Sequence, residues 1–330
     1  MDQVASDSPN LRRVDDLWFP RDTIVIRAED TIFQVSSSIL AARSTVFRDM
    51  VAFPQPPSED TEIMDGSPVV RLQDAAADVE VFLRAIFDSS FFMPAPAPVE
   101  LPVVLGILRL SHKYDVQFLH RRALQHLIMD GWYSSTFDAV AQHHIVPSDL
   151  ISGDIKRPFS IVAACLEVGA LWLLPWAYYV GSSWSPVFLL PLLNGEMKEH
   201  VQLCLVGHSH LLRTKALMSL FLETDDPCTT PALCGFIRRE QSLHPLIDDL
   251  DDDAYFDADP FNQWPPEMWN DWKERGMCDI CHTAAKTHTR RTLARLWERL
   301  PQIFGLPPWE ELHQMKRAAM GEDGEGDVTA

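Results

Sequence analysis

The chain is short of positive charge. It carries 28 Lys and Arg residues against 47 Asp and Glu residues, which gives a formal net charge of −19 at pH 7. Binding to nucleic-acid phosphates needs clustered Lys and Arg, so this balance argues against direct contact with nucleic acid. The sequence also lacks a basic run of the kind that forms a nuclear import signal. We therefore expect protein partners.

The sequence also lacks the common signatures of enzymes. It contains no G-x-S-x-G elbow, P-loop, dinucleotide fingerprint or H-E-x-x-H run, and no Cys lies in a recognisable nucleophile motif. Nine acidic residues and no Lys or Arg lie between His244 and Asp271. This stretch has a D-x-D pattern but not the turn Gly and terminal Glu of a calcium loop, so we expect a solvated loop. We expect no catalytic activity.

Two further absences concern location. The first residues are polar and acidic and have no apolar core, so we expect no secretory signal and an intracellular protein, in either the nucleus or the cytoplasm. Six cysteines in that setting are reduced thiols or metal ligands. The apolar stretch 159–180 has about the length of a membrane span, but it contains Glu167, Gly169 and Pro175. We expect a buried helix that ends near Trp172 or Pro175, and no membrane contact.

What the sequence does contain is a compact pattern between Asp22 and Pro54. A β-branched run at 23–26 and a second strand at 31–35 flank a polar turn. Ser36, Ser37 and Ser38 then offer a helix N-cap, and Ser44 offers a second cap before another short helix. The pattern predicts two strands followed by two short helices. A third strand is predicted at 69–72, a surface loop at 54–68, and further helices at 78–87, 104–113 and 119–128.

The stretch that includes Asp22, Phe33, 39–44 and 47–50 resembles the core of a BTB/POZ domain, which is a protein-interaction module. The wider chain resembles the BTB-containing proteins of mushroom-forming fungi. That second resemblance rests on Leu17-Trp18-Phe19, Lys113-Tyr114-Asp115-Val116, Gly169-Ala170-Leu171-Trp172-Leu173-Leu174-Pro175 and Gly305-Leu306-Pro307-Pro308-Trp309.

The resemblance implies an α+β fold in which a small sheet is covered by helices, followed by a mostly α-helical C-terminal domain. It implies action through self-association, as a homodimer through the BTB domain, or through adaptor binding. Leu17, Trp18, Asp22 and Phe53 are the candidate interaction residues. Ser36 and Ser37 stand where many animal BTB domains have a His and a basic residue, which weakens the case for their dimer groove.

Two alternative functions remain open from the sequence. The first is a substrate adaptor for a cullin-type ubiquitin ligase, although Phe53-Pro54-Gln55 lacks the Glu of the usual apolar-x-Glu motif. The second is a zinc-containing transcription cofactor that contacts basic proteins. The predicted organisation is a disordered lead-in at 1–14, a BTB/POZ domain at 15–130, a linker at 131–157, a helical domain at 158–320 with an acidic loop at 244–271, and a disordered tail at 321–330.

Four cysteines in the C-terminal half suggest a metal. We place Cys228 and Cys234 in a Pro-containing loop, and Cys278 and Cys281 in a short connection. The C-x2-C spacing lets two thiolates converge on one tetrahedral ion, and a second pair completes a four-sulfur site, so structural zinc is a candidate cofactor. His282 is a candidate substitute ligand. The alternative is four free thiols. The resemblance implies that related fungal sequences carry a similar pair of Cys pairs.

The remaining C-terminal residues fit a helical domain. We expect the prolines between Trp184 and Leu193 to prevent a long helix there, and we expect helices at 196–222, 289–300 and 309–320. The helix at 289–300 is basic and amphipathic. Cys165 and Cys204 lie in apolar helical settings and are predicted to be ordinary core thiols.

Overall fold

The structure is a computed structural model that describes residues 23–52, 63–64, 66–134, 136–137, 154–219, 228–248, 258–262, 264 and 266–322. The chain divides into two compact units. Unit 1 comprises residues 1–93 and 99–120, and unit 2 comprises residues 94–98 and 121–330. Each unit is described by itself below.

Unit 1 is a mixed α+β structure, as predicted. Its described strands are β1 (Thr23–Ala28), β2 (Thr31–Ser36), β3 (Ile63–Met64) and β4 (Ser67–Leu72). Its helices are α1 (Ser37–Arg43), α2 (Thr45–Ala52), α3 (Ala76–Phe87), α4 (Leu101–Lys113) and α5 (Gln117–Leu127), the last of which runs past the division at residue 120.

The four described strands form one sheet in the order β2-β1-β4-β3. β1 and β2 are an antiparallel hairpin in which Ile26 lies opposite Phe33, whereas β1 and β4 are parallel. The prediction of three strands is wrong by one. Ile63 and Met64, in the stretch predicted as a loop, pair with the start of β4 around Gly66, whose φ is +78°. A two-residue strand is too short to show an alternating pattern.

Serine hydroxyls cap the N-termini of the two short helices, as the sequence predicts. The Ser36 hydroxyl accepts from the amide of Ile39 at 3.4 Å, and the Ser44 hydroxyl accepts from the amide of Phe47 at 3.0 Å. Leu40 and Phe47 then enter the core of unit 1, where they are almost completely buried. α3 packs against α4, and Val79, Phe82 and Ile107 of these two helices are also buried.

Unit 2 is helical over its described residues. A π-helical turn at Ile128–Trp132 is followed by α6 (Arg157–Glu167), a 3-10 turn (Leu171–Leu173), α7 (Leu174–Ser183), α8 (Pro186–Leu189), a 3-10 turn (Leu190–Asn194) and α9 (Lys198–Ser219). Then come α10 (Pro231–Asp248), a 3-10 turn (Pro260–Asn262), α11 (Pro266–Glu274), α12 (Asp279–Ile303) and α13 (Trp309–Met320).

The prediction of one helix that ends near Trp172 or Pro175 is wrong. The chain turns after α6 at Gly169, whose φ of +72° is a left-handed conformation that glycine adopts without a steric penalty. Pro175 lies in the first turn of α7, where its missing N–H breaks no helical hydrogen bond. No helix is long and apolar enough to cross a membrane in the part of the chain that the structure describes.

Helix α7 is the centre of the unit 2 core. All ten of its residues are buried, and it packs against α6 and α9. The approach of α9 depends on Gly207, because a Cβ there would lie 2.3 Å from the hydroxyl oxygen of Ser182 and 2.6 Å from the Phe304 ring. Cys165 and Cys204 are buried free thiols in this core, which confirms their predicted place.

The prediction of an acidic loop at 244–271 is wrong at both ends. α10 continues to Asp248, and α11 begins at Pro266; residues 249–257 lie outside the described part of the chain. This part of the chain also contributes to a core. Trp264 and Trp272 are buried with Trp269 packed against them, and their ring centroids lie 4.6–5.7 Å apart. We call these three residues the tryptophan cluster.

Candidate metal centre

The four cysteines of the sequence prediction lie at the beginnings of two helices. Cys228 precedes α10, and Cys234 lies in its first turn, where its amide donates to the carbonyl of Thr230 at 2.9 Å. Cys278 is the N-cap of α12, and Cys281 lies in the first turn of that helix. The expectation that Cys234 and Cys281 lie in loops is therefore wrong. α10 was not predicted, and α12 begins at Asp279, ten residues before the helix predicted at 289–300.

The structure brings the two cysteine pairs together. The four Sγ atoms all lie within 4.8 Å of one another, and Cys228 Sγ is 3.9 Å from Cys278 Sγ. A Zn–S bond of about 2.3 Å in a tetrahedral site implies sulfurs about 3.8 Å apart, so the cluster has nearly the dimensions of a metal site. All four thiols are free, and 3.9 Å is far longer than a disulfide bond of about 2.0 Å.

Backbone amides favour the ionised form of one thiol. The amide of Cys281 donates to Cys278 Sγ at 3.5 Å, and this hydrogen bond is the largest influence that lowers the pKa of Cys278 to about 5. The sulfur also lies at the positive end of the long helix α12, which favours an anion there. Burial acts in the opposite direction on its neighbour and raises the pKa of Cys281 to about 12. A metal that binds all four sulfurs must therefore displace a proton from Cys281.

Arg238 supplies a cation to that same buried thiol. Its Nη2 donates to Cys281 Sγ at 2.6 Å, and the positive charge lowers the pKa of Cys281 against the effect of burial. Arg238 lies four residues after Cys234 on α10, so both side chains lie on one face of that helix. The sequence analysis missed this residue. The i, i+4 spacing of a Cys and an Arg is the signal that could have found it.

Thr230 ties the two halves of the centre together. Its hydroxyl donates to the carbonyl of Gly276 at 3.2 Å and lies 3.2 Å from Cys234 Sγ. The amide of Cys278 in turn donates to Cys234 Sγ at 3.3 Å. Contacts of this kind orient sulfur ligands and share their negative charge.

His282 lies outside the four-cysteine set. Its ring Nε2 is 3.0 Å from the carbonyl oxygen of Trp269. Because a carbonyl only accepts, this contact assigns the proton of the neutral ring to Nε2. Burial lowers the pKa of His282, which favours the neutral ring further. The histidine therefore joins the tryptophan cluster to α12 in the structure.

The candidate interaction residues fall in a different part of the chain. Leu17, Trp18, Asp22 and Phe53 all lie outside the described residues, so they stay predictions. Two residues at the positions that many animal BTB domains use for partner binding are described: Ser36 caps α1, and Ser37 is buried.

No protein-family model, curated protein or solved structure matches this chain at a significant level. The residues of the two units therefore carry the functional argument.

Proposed function

We propose that this is an intracellular protein-interaction protein with two parts. Unit 1 is a BTB/POZ domain that acts by self-association or by binding an adaptor. Unit 2 supports that domain or recognises a partner, and it is held together by one structural zinc at Cys228, Cys234, Cys278 and Cys281.

The observation that carries the first part is a contact between two of the stretches that resemble the BTB family. The Ser44 hydroxyl donates to the carbonyl of Tyr114 at 2.6 Å, and the Thr45 hydroxyl donates to the Asp115 carboxylate. The Phe47 ring stacks on Tyr114 with centroids 4.8 Å apart. Residues 67 to 70 positions apart thus pack together, and this supports a single BTB-like domain.

Exposed apolar side chains support an interaction role for unit 1. On β2, at the edge of the described sheet, Ile32 is 51% exposed. On α2, Val46 and Val51 are also exposed. Scattered exposed apolar residues are normal in globular proteins. These three lie on the elements that carry the BTB resemblance, and contact with a partner protein would remove them from water.

The ligand chemistry supports the zinc assignment. Four thiolates in a tetrahedral arrangement suit Zn²⁺ or iron, and a closed set of four protein ligands is typical of structural zinc. Such a set leaves no open coordination position for a substrate. This supports a structural centre.

The interaction proposal is tested by light scattering after size-exclusion chromatography, combined with affinity purification and mass spectrometry. We expect a homodimer or a specific partner, and loss of either in the variants Trp18→Ala and Phe53→Ala. Val187→Ala is the matched control, because Val187 is a highly exposed apolar residue of unit 2. Recovery of cullin peptides would select the adaptor function. A monomer without a specific partner would refute the proposal.

The zinc proposal is tested by replacing the bound metal with Co²⁺. Four thiolate ligands predict intense thiolate-to-cobalt absorption and a tetrahedral visible spectrum. Cys278→Ser should weaken these bands, whereas Cys165→Ala, at a buried thiol outside the cluster, should leave them unchanged. Absence of the bands in the folded wild-type protein would exclude the four-sulfur centre.

A further inference from the structure

Helix α12 is held firmly by one apolar face. Leu293, Leu296, Trp297 and Leu300 are buried at helical spacing, and α12 packs against α9 and α11. The Trp297 ring stacks on Trp309 of α13 with centroids 4.5 Å apart. The opposite face of α12 is therefore presented in a fixed orientation.

The five Lys and Arg residues of α12 fall into two groups, and only the second group lies opposite the apolar face. Lys286 and Arg290 are engaged with aromatic rings, the first over Trp269 at 5.6 Å and the second over Phe137 at 5.4 Å. The remaining three are Arg291, Arg295 and Arg299. They are exposed, and none of them forms an ion pair or a ring contact with any other residue that the structure describes.

These three arginines form a regular row, which we call the arginine row. Successive members are four residues apart, which places them about 6 Å apart along the helix axis and gives a row about 12 Å long. Glu298 is the one carboxylate between residues 280 and 303, so the row keeps a net positive charge. This is unusual on a chain whose formal net charge is −19.

The spacing of the row matches one kind of ligand. In an extended polypeptide, side chains on one side repeat about every 6.6–6.8 Å, close to the 6 Å repeat of the arginines. Carboxylates at alternate residues would therefore meet successive guanidinium groups. Arginine suits this contact better than lysine, because its planar group binds a carboxylate through two hydrogen bonds and is weakly hydrated.

We propose that the arginine row docks an acidic, extended segment of a partner protein that has carboxylates at alternate positions. The match of charge and spacing selects this occupant. A nucleic acid is disfavoured, because three cations on a strongly negative chain neutralise few phosphates. The proposal is independent of the zinc centre and names a partner class for unit 2.

Fluorescence anisotropy with a labelled peptide tests the proposal on the full chain. The probe is a ten-residue peptide in which Asp and Ala alternate, and a peptide of equal composition with its five Asp residues together tests the spacing. Arg291→Gln with Arg295→Gln removes two members of the row. Lys198→Gln with Arg239→Gln is the control, since it removes the same charge from exposed positions on α9 and α10.

We expect the alternating peptide to bind more tightly than the clustered one. The row variant should weaken binding roughly tenfold, the result of losing two exposed ion pairs, and the control should change it less than twofold. Both variants change only exposed side chains, so circular dichroism should show unchanged folding. Equal loss in the two variants, or no binding by the wild-type protein, would overturn the proposal. So would tighter binding of a single-stranded oligonucleotide that depends on the same arginines.

Discussion

The sharpest prediction concerns Arg238. Replacement by Met keeps much of the apolar stem but removes the guanidinium that donates to Cys281 Sγ at 2.6 Å. A hydrogen bond to a charged group contributes about 1.5–3 kcal/mol, and loss of an outer-sphere partner lowers metal affinity about 10–100-fold. Because Arg238 is only half-buried, water replaces part of the lost interaction, so the lower end of both ranges applies. We expect zinc affinity to fall about tenfold.

Competition with a chromogenic chelator measures this affinity directly. The zinc affinity of Arg238→Lys should lie between that of Arg238→Met and that of the wild type, because an ammonium keeps the charge but not the planar donor geometry. Arg239→Met is the matched control, since Arg239 is the next residue on the same helix and is exposed. An affinity for Arg238→Met within twofold of the wild type would refute the role of the guanidinium. Equal loss in the Arg239 variant would refute it as well.

Three further predictions follow from the packing of each unit. Chelation of the metal should change the near-ultraviolet circular dichroism of the tryptophan cluster, because those rings share one core with two of the cysteines; an unchanged spectrum after metal loss would contradict this. Ser44→Ala should lower the free energy of unfolding, measured by urea denaturation, by about 1–3 kcal/mol, because it leaves the buried carbonyl of Tyr114 without its donor. Thr31→Ala is the control at an exposed position and should lower the free energy of unfolding by less than about 0.5 kcal/mol. Burial raises the pKa of Asp259, whose carboxylate accepts from the Tyr179 hydroxyl. Between the pKa of the unfolded chain and that of the folded chain, the native state therefore binds more protons, and the free energy of unfolding should fall as pH rises. Asp259→Asn should remove this contribution to the pH dependence of stability.

Local features of this fold could be predicted from the sequence. The hairpin of β1 and β2 follows from β-branched runs, and the starts of α1 and α2 follow from Ser36 and Ser44, since strand pairing and capping act over a few residues. The two-residue strand β3 was missed because it has no periodicity of its own. Pro175 was misread as the end of a helix, although a proline is equally compatible with the first turn of the next one.

At the candidate metal centre, too, local patterns were predicted and long-range contacts were missed. Spacing and residue type identified four candidate sulfur ligands, but nothing in the sequence showed that the two pairs lie within reach of each other. Arg238 was missed because its contact with Cys281 joins residues that are 43 positions apart and is made only when α10 and α12 meet. Acidic composition likewise predicted a loop at 244–271, but Trp264 and Trp269 in that stretch pack with Trp272 in a core.

The most direct test of the four-cysteine zinc centre is the metal content of the purified full-length protein, measured by mass spectrometry under native conditions and by elemental analysis. We predict one zinc ion per chain, and loss of that ion in Cys278→Ser but not in Cys165→Ala. A folded wild-type protein with a metal content near zero would contradict the account, and so would one whose metal persists without Cys278.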